Sequence, residues 1–194
     1  MVHLISDTIQ LYSAMKPEFI DPVHWELVMK QLDSDFGEGI TNKILGNLAP
    51  AMIEHGNTKS MYLVPHDWMF LVDQDFNDFE VRYLGIWLGD MISDKLRLSL
   101  PILDKLSEFT ENILVVTQKS AEAFTYGRSV LKEGVIRLNT SLERGQRVIV
   151  KDKEGHILGL AVLSVDGRLV DRLGKDKLVA KNLTDIGWYL RRLG

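Results

Sequence analysis

No cysteine occurs anywhere in the 194 residues. Disulfides, thiolate zinc sites and cysteine nucleophiles are therefore excluded, and the absence fits an intracellular protein. No stretch reaches the ~18 uninterrupted apolar residues of a membrane-spanning helix. The opening MVHLISDTIQ has an early aspartate and no basic start, so no signal peptide is expected.

The loop signatures of common enzymes are missing too. Gly167 and Gly174-Lys175 have the wrong spacing for a phosphate loop and no following Ser or Thr. Gly37-Glu38-Gly39 lacks the third glycine of a dinucleotide fingerprint and reads as a tight turn. Neither G-x-S-x-G nor H-E-x-x-H occurs, and His3, His24, His55, His66 and His156 lack metal-ligand spacing. His55, beside Gly56, reads as a cation at a helix end. The acidic run from Asp73 to Asp78 lacks the glycine and distal glutamate of a calcium loop and reads as a solvated turn. No catalytic set, metal or cofactor is expected.

What is present is an ordinary globular composition, 45% apolar and 26% charged, with length for one large or two small domains. The net charge of −4 conceals an asymmetry. Residues 1–112 carry 8 Lys/Arg against 18 Asp/Glu, a net −10, while residues 113–194 carry 15 against 9, a net +6. Such a split suggests two modules with different partners, the basic one facing a polyanion.

The pattern changes at the same place. In the first half, Asp21-Pro22 opens a helix with Trp25, Val28, Met29 and Leu32 as its apolar stripe. A second helix is expected over Lys43–His55, then a strand over Met61–Val64 and a helical turn over Asp67–Val72. Glu80–Ile92 and Lys95–Leu100 read as paired strands, and Pro101 starts a helix bearing Leu103, Leu106 and Phe109 on one face. From Asn112 onward short β-rich runs dominate: Ile113–Thr117, Val135–Leu138, Gln146–Lys151, Ile157–Ser164 and Leu178–Ala180. Asp152-Lys153-Glu154-Gly155 is a hairpin signal, and Asp185–Leu190 is expected to close the chain as a short helix. So many short strands predict a small barrel-like module.

RNA binding asks for cations, closely approachable backbone and flat groups for stacking. Around Phe124–Leu138 (FTYGRSVLKEGVIRL) a short helix with Ser120 as N-cap ends at Gly127, which supplies the left-handed C-terminal turn. Gly134 then allows a second turn into Val135, so Gly127 and Gly134 would leave backbone open, with Arg128 and Lys132 on either side. A second basic group comprises Arg168, Arg172, Lys175, Lys177 and Lys181, with Arg191-Arg192 beside Trp188 and Tyr189. Single lysines on a β module usually only solubilise it, and Trp188 and Tyr189 suit a core better than a stacking platform. The cluster is stronger evidence than any member.

These residues carry a resemblance. Ala123-Phe124-x-Tyr126-Gly127-x-x-Val130-Leu131-Lys132-x-Gly134-Val135-x-Arg137, then Gly145-Gln146-x-Val148-x-Val150 and Gly155-x-x-x-Gly159-x-Ala161, resemble a PUA domain. Together with Tyr62-x-Val64, Leu84-Gly85-x-x-x-Gly89, Leu96-Arg97-Leu98, Leu103-Asp104-x-Leu106 and the closing Asp185-Ile186-Gly187-x-Tyr189-x-Arg191, the chain resembles an archaeal member of the NIP-seven family of ribosome biogenesis factors. The match spans about residues 55–192; residues 1–50 stay unaligned.

The resemblance implies an α+β fold: an N-terminal acidic α/β (pre-PUA) domain over 1–112, then a PUA mixed β pseudo-barrel over 113–194. It implies non-catalytic binding of single-stranded, uridine-rich RNA in large-subunit assembly and pre-rRNA processing. Arg128, Lys132, Arg168, Arg172, Lys175, Lys177, Lys181 and Arg191 are the candidate contacts, with Gly127 and Gly134 as points of backbone approach. The acidic domain would repel RNA and meet ribosome assembly proteins instead. A monomer is expected, without membrane attachment, cytoplasmic in an archaeon and nucleolar in a eukaryote. The alternative is an RNA-modifying enzyme, a pseudouridine synthase or transglycosylase, using the PUA domain for targeting. Asp104 superficially resembles a synthase aspartate, but follows Pro101 where a helix begins, so a dipole role at the helix N-terminus is the plainer reading.

Overall fold

A computed structural model of the chain describes residues 16–55, 58–72, 74, 81–92 and 95–187. Strand β1 is Pro17–Phe19 and helix α1 is Pro22–Phe36. The Asp21-Pro22 signal works as expected: Asp21 Oδ1 accepts from the amides of Val23 at 2.7 Å and His24 at 3.3 Å. Val28, Leu32 and Phe36 form the buried stripe of α1. Helix α2, Ile40–Leu45, follows at once, stitched to α1 by Asp33, whose carboxylate accepts from the Thr41 amide at 2.9 Å and hydroxyl at 2.8 Å.

The helix expected over Lys43–His55 ends instead at Leu45, and Leu48–His55 is strand β2. Pro50 cannot sit inside a helix, and the buried Ala49, Ala51 and Ile53 alternate with more exposed neighbours, the two-residue period of a strand. His55 therefore ends a strand, and no helix dipole acts on it. Strands β3 (Thr58–Pro65), β4 (Ile86–Ile92) and β5 (Lys95–Leu98) complete an antiparallel sheet ordered β1-β2-β3-β4-β5. Helices α1, α2 and α3 (Leu100–Ser107) cover one face, burying Leu32, Ile44, Leu63, Leu88, Leu96 and Leu103. A 3-10 turn over His66–Leu71 shelters the other face, where Ile53, Tyr62, Val64 and Leu84 pack together. Phe109, expected beside Leu103 and Leu106, lies beyond α3 and is exposed. Asp104, expected at the helix start, sits past the first turn of α3 and is also exposed.

A second, mixed sheet takes up the rest. Its elements are β6 (Ile113–Val116), α4 (Gln118–Thr125), β7 (Val130–Leu131), β8 (Val135–Leu138), β9 (Arg147–Lys151), β10 (Ile157–Leu163) and β11 (Leu178–Asp185). The strand order is β7-β11-β10-β9-β6-β8, with β6 and β9 parallel and all other pairs antiparallel. Strand β11 is far longer than Leu178–Ala180, because exposed Lys181 and Leu183 alternate with inward Ala180 and Thr184, which keeps the two-residue period going through polar residues. Of the terminal helix expected over Asp185–Leu190, Asp185 ends β11, Ile186 and Gly187 are helical, and residues 188–190 lie outside those described.

The two sheets share a core. Ile149 and Leu160 of the second sheet pack into the cluster formed by α1, α3 and the first sheet. Polar groups pin the same junction: buried Asn112 donates from Nδ2 to the Asp35 carbonyl at 2.8 Å and the Arg147 carbonyl at 3.1 Å. Thr110 Oγ1 donates to the Phe36 carbonyl at 2.9 Å, and the Arg147 guanidinium stands 3.1 Å from the Asp35 carboxylate. Burial pushes the Asp35 carboxyl above its ordinary range, an effect the Arg147 charge opposes.

Asn112→Ala removes both side-chain bonds across this junction and leaves buried carbonyls without partners. It should cost roughly 1–3 kcal/mol, read as a lower urea midpoint at unchanged slope. An unaltered midpoint would show that the junction does not depend on Asn112.

Candidate nucleic-acid interface

Helix α4 begins where Thr117, not the expected Ser120, acts as N-cap: Thr117 Oγ1 accepts from the Ser120 amide at 3.4 Å. Its apolar side is held by Phe124 and Ala121 in the second core. At its far end Gly127 adopts φ +84°, as the sequence indicated, with nothing within 4 Å of where a Cβ would stand. The Gly127 amide donates to the Phe124 carbonyl at 2.9 Å and the Arg128 amide to the Ala123 carbonyl at 3.1 Å, which close the last turn. Asn182 of β11 reinforces that end, donating from Nδ2 to the Phe124 carbonyl at 2.9 Å.

Gly134 behaves differently from the expectation of open backbone. It is buried at the end of a 3-10 turn over Lys132–Gly134, and a Cβ there would overlap Ser120 Oγ and stand 2.6 Å from Ser120 Cβ. Its carbonyl is also occupied, accepting from the Thr117 amide at 2.9 Å. Glycine is needed here for close packing against α4, not for an exposed turn. The result is a groove of about 380 Å³ between α4 and the 130–134 segment, lined by Lys119, Ser120, Ala123, Arg128, Ser129 and Glu133 among others.

Arg128 is exposed on the groove wall and, among the described residues, its side chain has no ion-pair partner. Tyr126 stands 77% exposed two residues before it, a large flat ring left in water beside the bare Gly127. Lys119 enters the groove one helical turn ahead of Ala123. Sequence reasoning singled out neither Lys119 nor a stacking role for Tyr126. The Lys119-to-Ala123 spacing was the available signal, since residues four apart on a helix share a face.

Lys132 is committed to a different bond. Its Nζ lies 2.8 Å from Asp171 Oδ1 and is only 22% exposed, so it does not flank the groove as a free cation. The contact ties the Lys132–Gly134 turn to the 3-10 turn over Gly167–Arg172. Backbone bonds then bring two further candidates alongside: the Lys132 amide donates to the Lys177 carbonyl at 2.9 Å and the Glu133 amide to the Lys175 carbonyl at 3.1 Å. Arg172, Lys175 and Lys177 are all exposed there, Lys177 within 3.5 Å of Asp176. Lys181 projects from β11 next to Ala180, which pairs with Val130, and Asn182, whose amide donates to Ser129 Oγ. Arg168 is tied elsewhere, 3.3 Å from Asp166, the carboxylate that also accepts from the Arg144 amide. Arg191, with Trp188 and Tyr189, lies outside the described residues. Of the candidate cations among the described residues, Arg128 lines the groove, Lys175 and Lys177 stand on the segment bonded to 132–133, Lys181 lies on β11, and Arg168 is apart.

Comparison with known proteins fits this geometry. Residues 112–194 match the UPF0113 PUA domain family model. The "60S ribosome subunit biogenesis protein nip7" of Schizosaccharomyces pombe is 29% identical over 109 residues, covering 56% of this chain and 61% of that protein. Over about half its length the chain is similar to NIP7 proteins. It spans about three-fifths of that curated relative. A conserved PUA domain protein of Thermoplasma acidophilum superposes with TM-score 0.60 at 16% identity, over 92% of this chain and 99% of that one. A hypothetical protein of Pyrococcus horikoshii gives TM-score 0.61 at 17% identity, over 90% and 98%. The fold is accordingly an N-terminal α/β part followed by a PUA pseudo-barrel.

The Lys132 bond is directly measurable. It holds the Asp171 carboxyl below the usual carboxylate range. A depressed carboxylate stabilises the fold above its unfolded pKa, and that contribution is lost as pH falls through the folded value. NMR titration should therefore place Asp171 below an ordinary aspartate, with Lys132→Met returning it to normal. An ordinary value in the wild-type protein would mean that Lys132 is free.

Proposed function

We propose that the chain is a non-catalytic RNA-binding factor in assembly of the large ribosomal subunit, gripping single-stranded, uridine-rich stretches of pre-rRNA. The observation that carries this is the end of α4, where Arg128, without an ion-pair partner among the described residues, lines the groove and the solvent-exposed Tyr126 ring and bare Gly127 backbone lie beside it in the chain. A guanidinium takes phosphate in a fork of hydrogen bonds, and an exposed ring stacks any base. The groove is small, about 380 Å³, and mixed in charge, with Glu133 in its lining, which does not favour a duplex held by electrostatics alone. Single strands, whose bases splay outward, suit it better.

The charge division supports the same reading. The segment from residue 113 carries a net +6 and residues 1–112 a net −10, so RNA is drawn to one side only. We assign the acidic domain over 1–112 to contacts with ribosome assembly proteins, and the chain itself to a monomer. Such a factor works in the cytoplasm of an archaeal cell and in the nucleolus of a eukaryotic one. Asp104, the residue closest in context to a synthase nucleophile, is carried by helix α3 rather than by a sheet and stands exposed to water, which favours binding over RNA modification.

Arg128→Ala and Tyr126→Ala should each weaken binding to single-stranded RNA, Tyr126→Ala by about 1–3 kcal/mol for one stacked base. Lys175→Ala with Lys177→Ala should weaken it further. All four side chains are exposed, so melting temperatures should barely move. The log of affinity should fall with log salt by about 0.7 per phosphate contacted. Affinity insensitive to salt and to these variants would overturn the assignment.

A further inference from the structure

A second groove lies on the acidic part, remote in sequence from the RNA-facing residues. Its volume is about 670 Å³. One wall is Tyr83, Ile86 and Trp87; the other is Pro101, Asp104 and Glu108 of α3 and its C-terminal end. We propose that this groove binds an arginine- or lysine-rich segment of a partner protein. The proposal rests on the reading of residues 1–112 as the protein-facing side, and it names the surface and the chemistry of that contact.

The aromatic wall is exposed yet held in place. Tyr83 is 74% exposed, but its ring meets Tyr62 edge-on, with centroids 6.4 Å apart and planes at 82°. Tyr62 is itself buried, and its hydroxyl donates to the Arg82 carbonyl at 3.0 Å, fixing the backbone that carries Tyr83. Burial pushes the Tyr62 hydroxyl up to about 12, so this bond persists across the physiological range. The two walls are joined where α3 begins. The Ser99 hydroxyl donates to the Trp87 carbonyl and the Ser99 amide to the Leu88 carbonyl at 3.0 Å. A rigid exposed aromatic loses little freedom on binding, which is what a recognition surface needs.

The opposite wall makes little sense as a stabilising device. Asp104 and Glu108 are four residues apart on the same face, where like charges repel. Glu108 also stands at the C-terminal end of α3, where the helix dipole favours cations. Both are exposed, and among the described residues no cation pairs with either. Lys105, between them, also lines the groove but is half-buried, whereas the two carboxylates are exposed. A bound arginine or lysine would relieve each of these conflicts. Its aliphatic stem would lie over Ile86 and Pro101, its charge against the Tyr83 ring, and its head group on the carboxylates. RNA is unsuited to this wall, because its phosphates would meet carboxylates in a domain of net −10.

The test titrates the full chain with a short labelled peptide of alternating Arg and Gly, and with a Glu-Gly peptide of equal length. The Arg-Gly peptide should bind and the Glu-Gly peptide should not. Asp104→Asn combined with Glu108→Gln should weaken binding about tenfold. Tyr83→Ala should weaken it about threefold to fivefold, and Tyr83→Phe, which keeps the ring, should not. Wild-type affinity in the double carboxamide variant, or equal binding of both peptides, would overturn the proposal. RNA affinity measured on the same double variant should be unchanged. Loss of RNA binding by the wild-type protein would instead remove the RNA assignment and leave the peptide result standing.

Discussion

Residue 134 meets Ser120 so closely that any side chain there would overlap the serine's own Cβ and hydroxyl. That contact lets the Lys132–Gly134 turn lie flat on α4, and the Gly134 carbonyl then accepts from Thr117, the residue that starts the helix. Everything around the groove follows from this seating. With the turn in place, Lys132 reaches Asp171 and the backbone of 132–133 pairs with 175–177, the segment that carries the exposed Lys175 and Lys177. At the other end of α4, Asn182 fixes the Phe124 carbonyl, and the left-handed Gly127 turns Tyr126 and Arg128 outward. The proposed binding surface is thus a by-product of packing, built on rigid elements with its outermost side chains exposed.

The same economy governs the relation between the two halves. A core shared through Ile149 and Leu160, and the Asn112–Asp35–Arg147 ties, prevent the acidic and basic parts from moving as loosely tethered beads. Opposite charge would otherwise let the basic face fold onto the acidic one. Held apart, the two faces can meet different partners, RNA on one and a basic protein segment on the other. An assembly factor that joins RNA to protein needs that arrangement.

Much of this was legible in the sequence because it was written in short-range signals. Asp21-Pro22 fixed the start of α1, the Asp152–Gly155 turn its hairpin, and Gly127 the end of α4. What failed were signals in which two local codes compete. Residues 43–55 are apolar enough for a helix, but Pro50 and the alternation of Ala49, Ala51 and Ile53 decided for a strand. Lys132 looked like a free cation because its partner, Asp171, lies 39 residues further on. Gly134 looked like a turn glycine because nothing local announces Ser120 as the neighbour it must clear. The acidic groove was invisible for the same reason: Tyr83 and Asp104 come together only when β4 and α3 pack.

The central claim is that RNA lies in the α4 groove. Photo-crosslinking a single-stranded uridine-rich RNA to the full chain, followed by peptide mapping, tests it most directly. The account predicts adducts within residues 119–134 and 172–181, with Tyr126 the leading site. Adducts confined to residues 16–112 would contradict it.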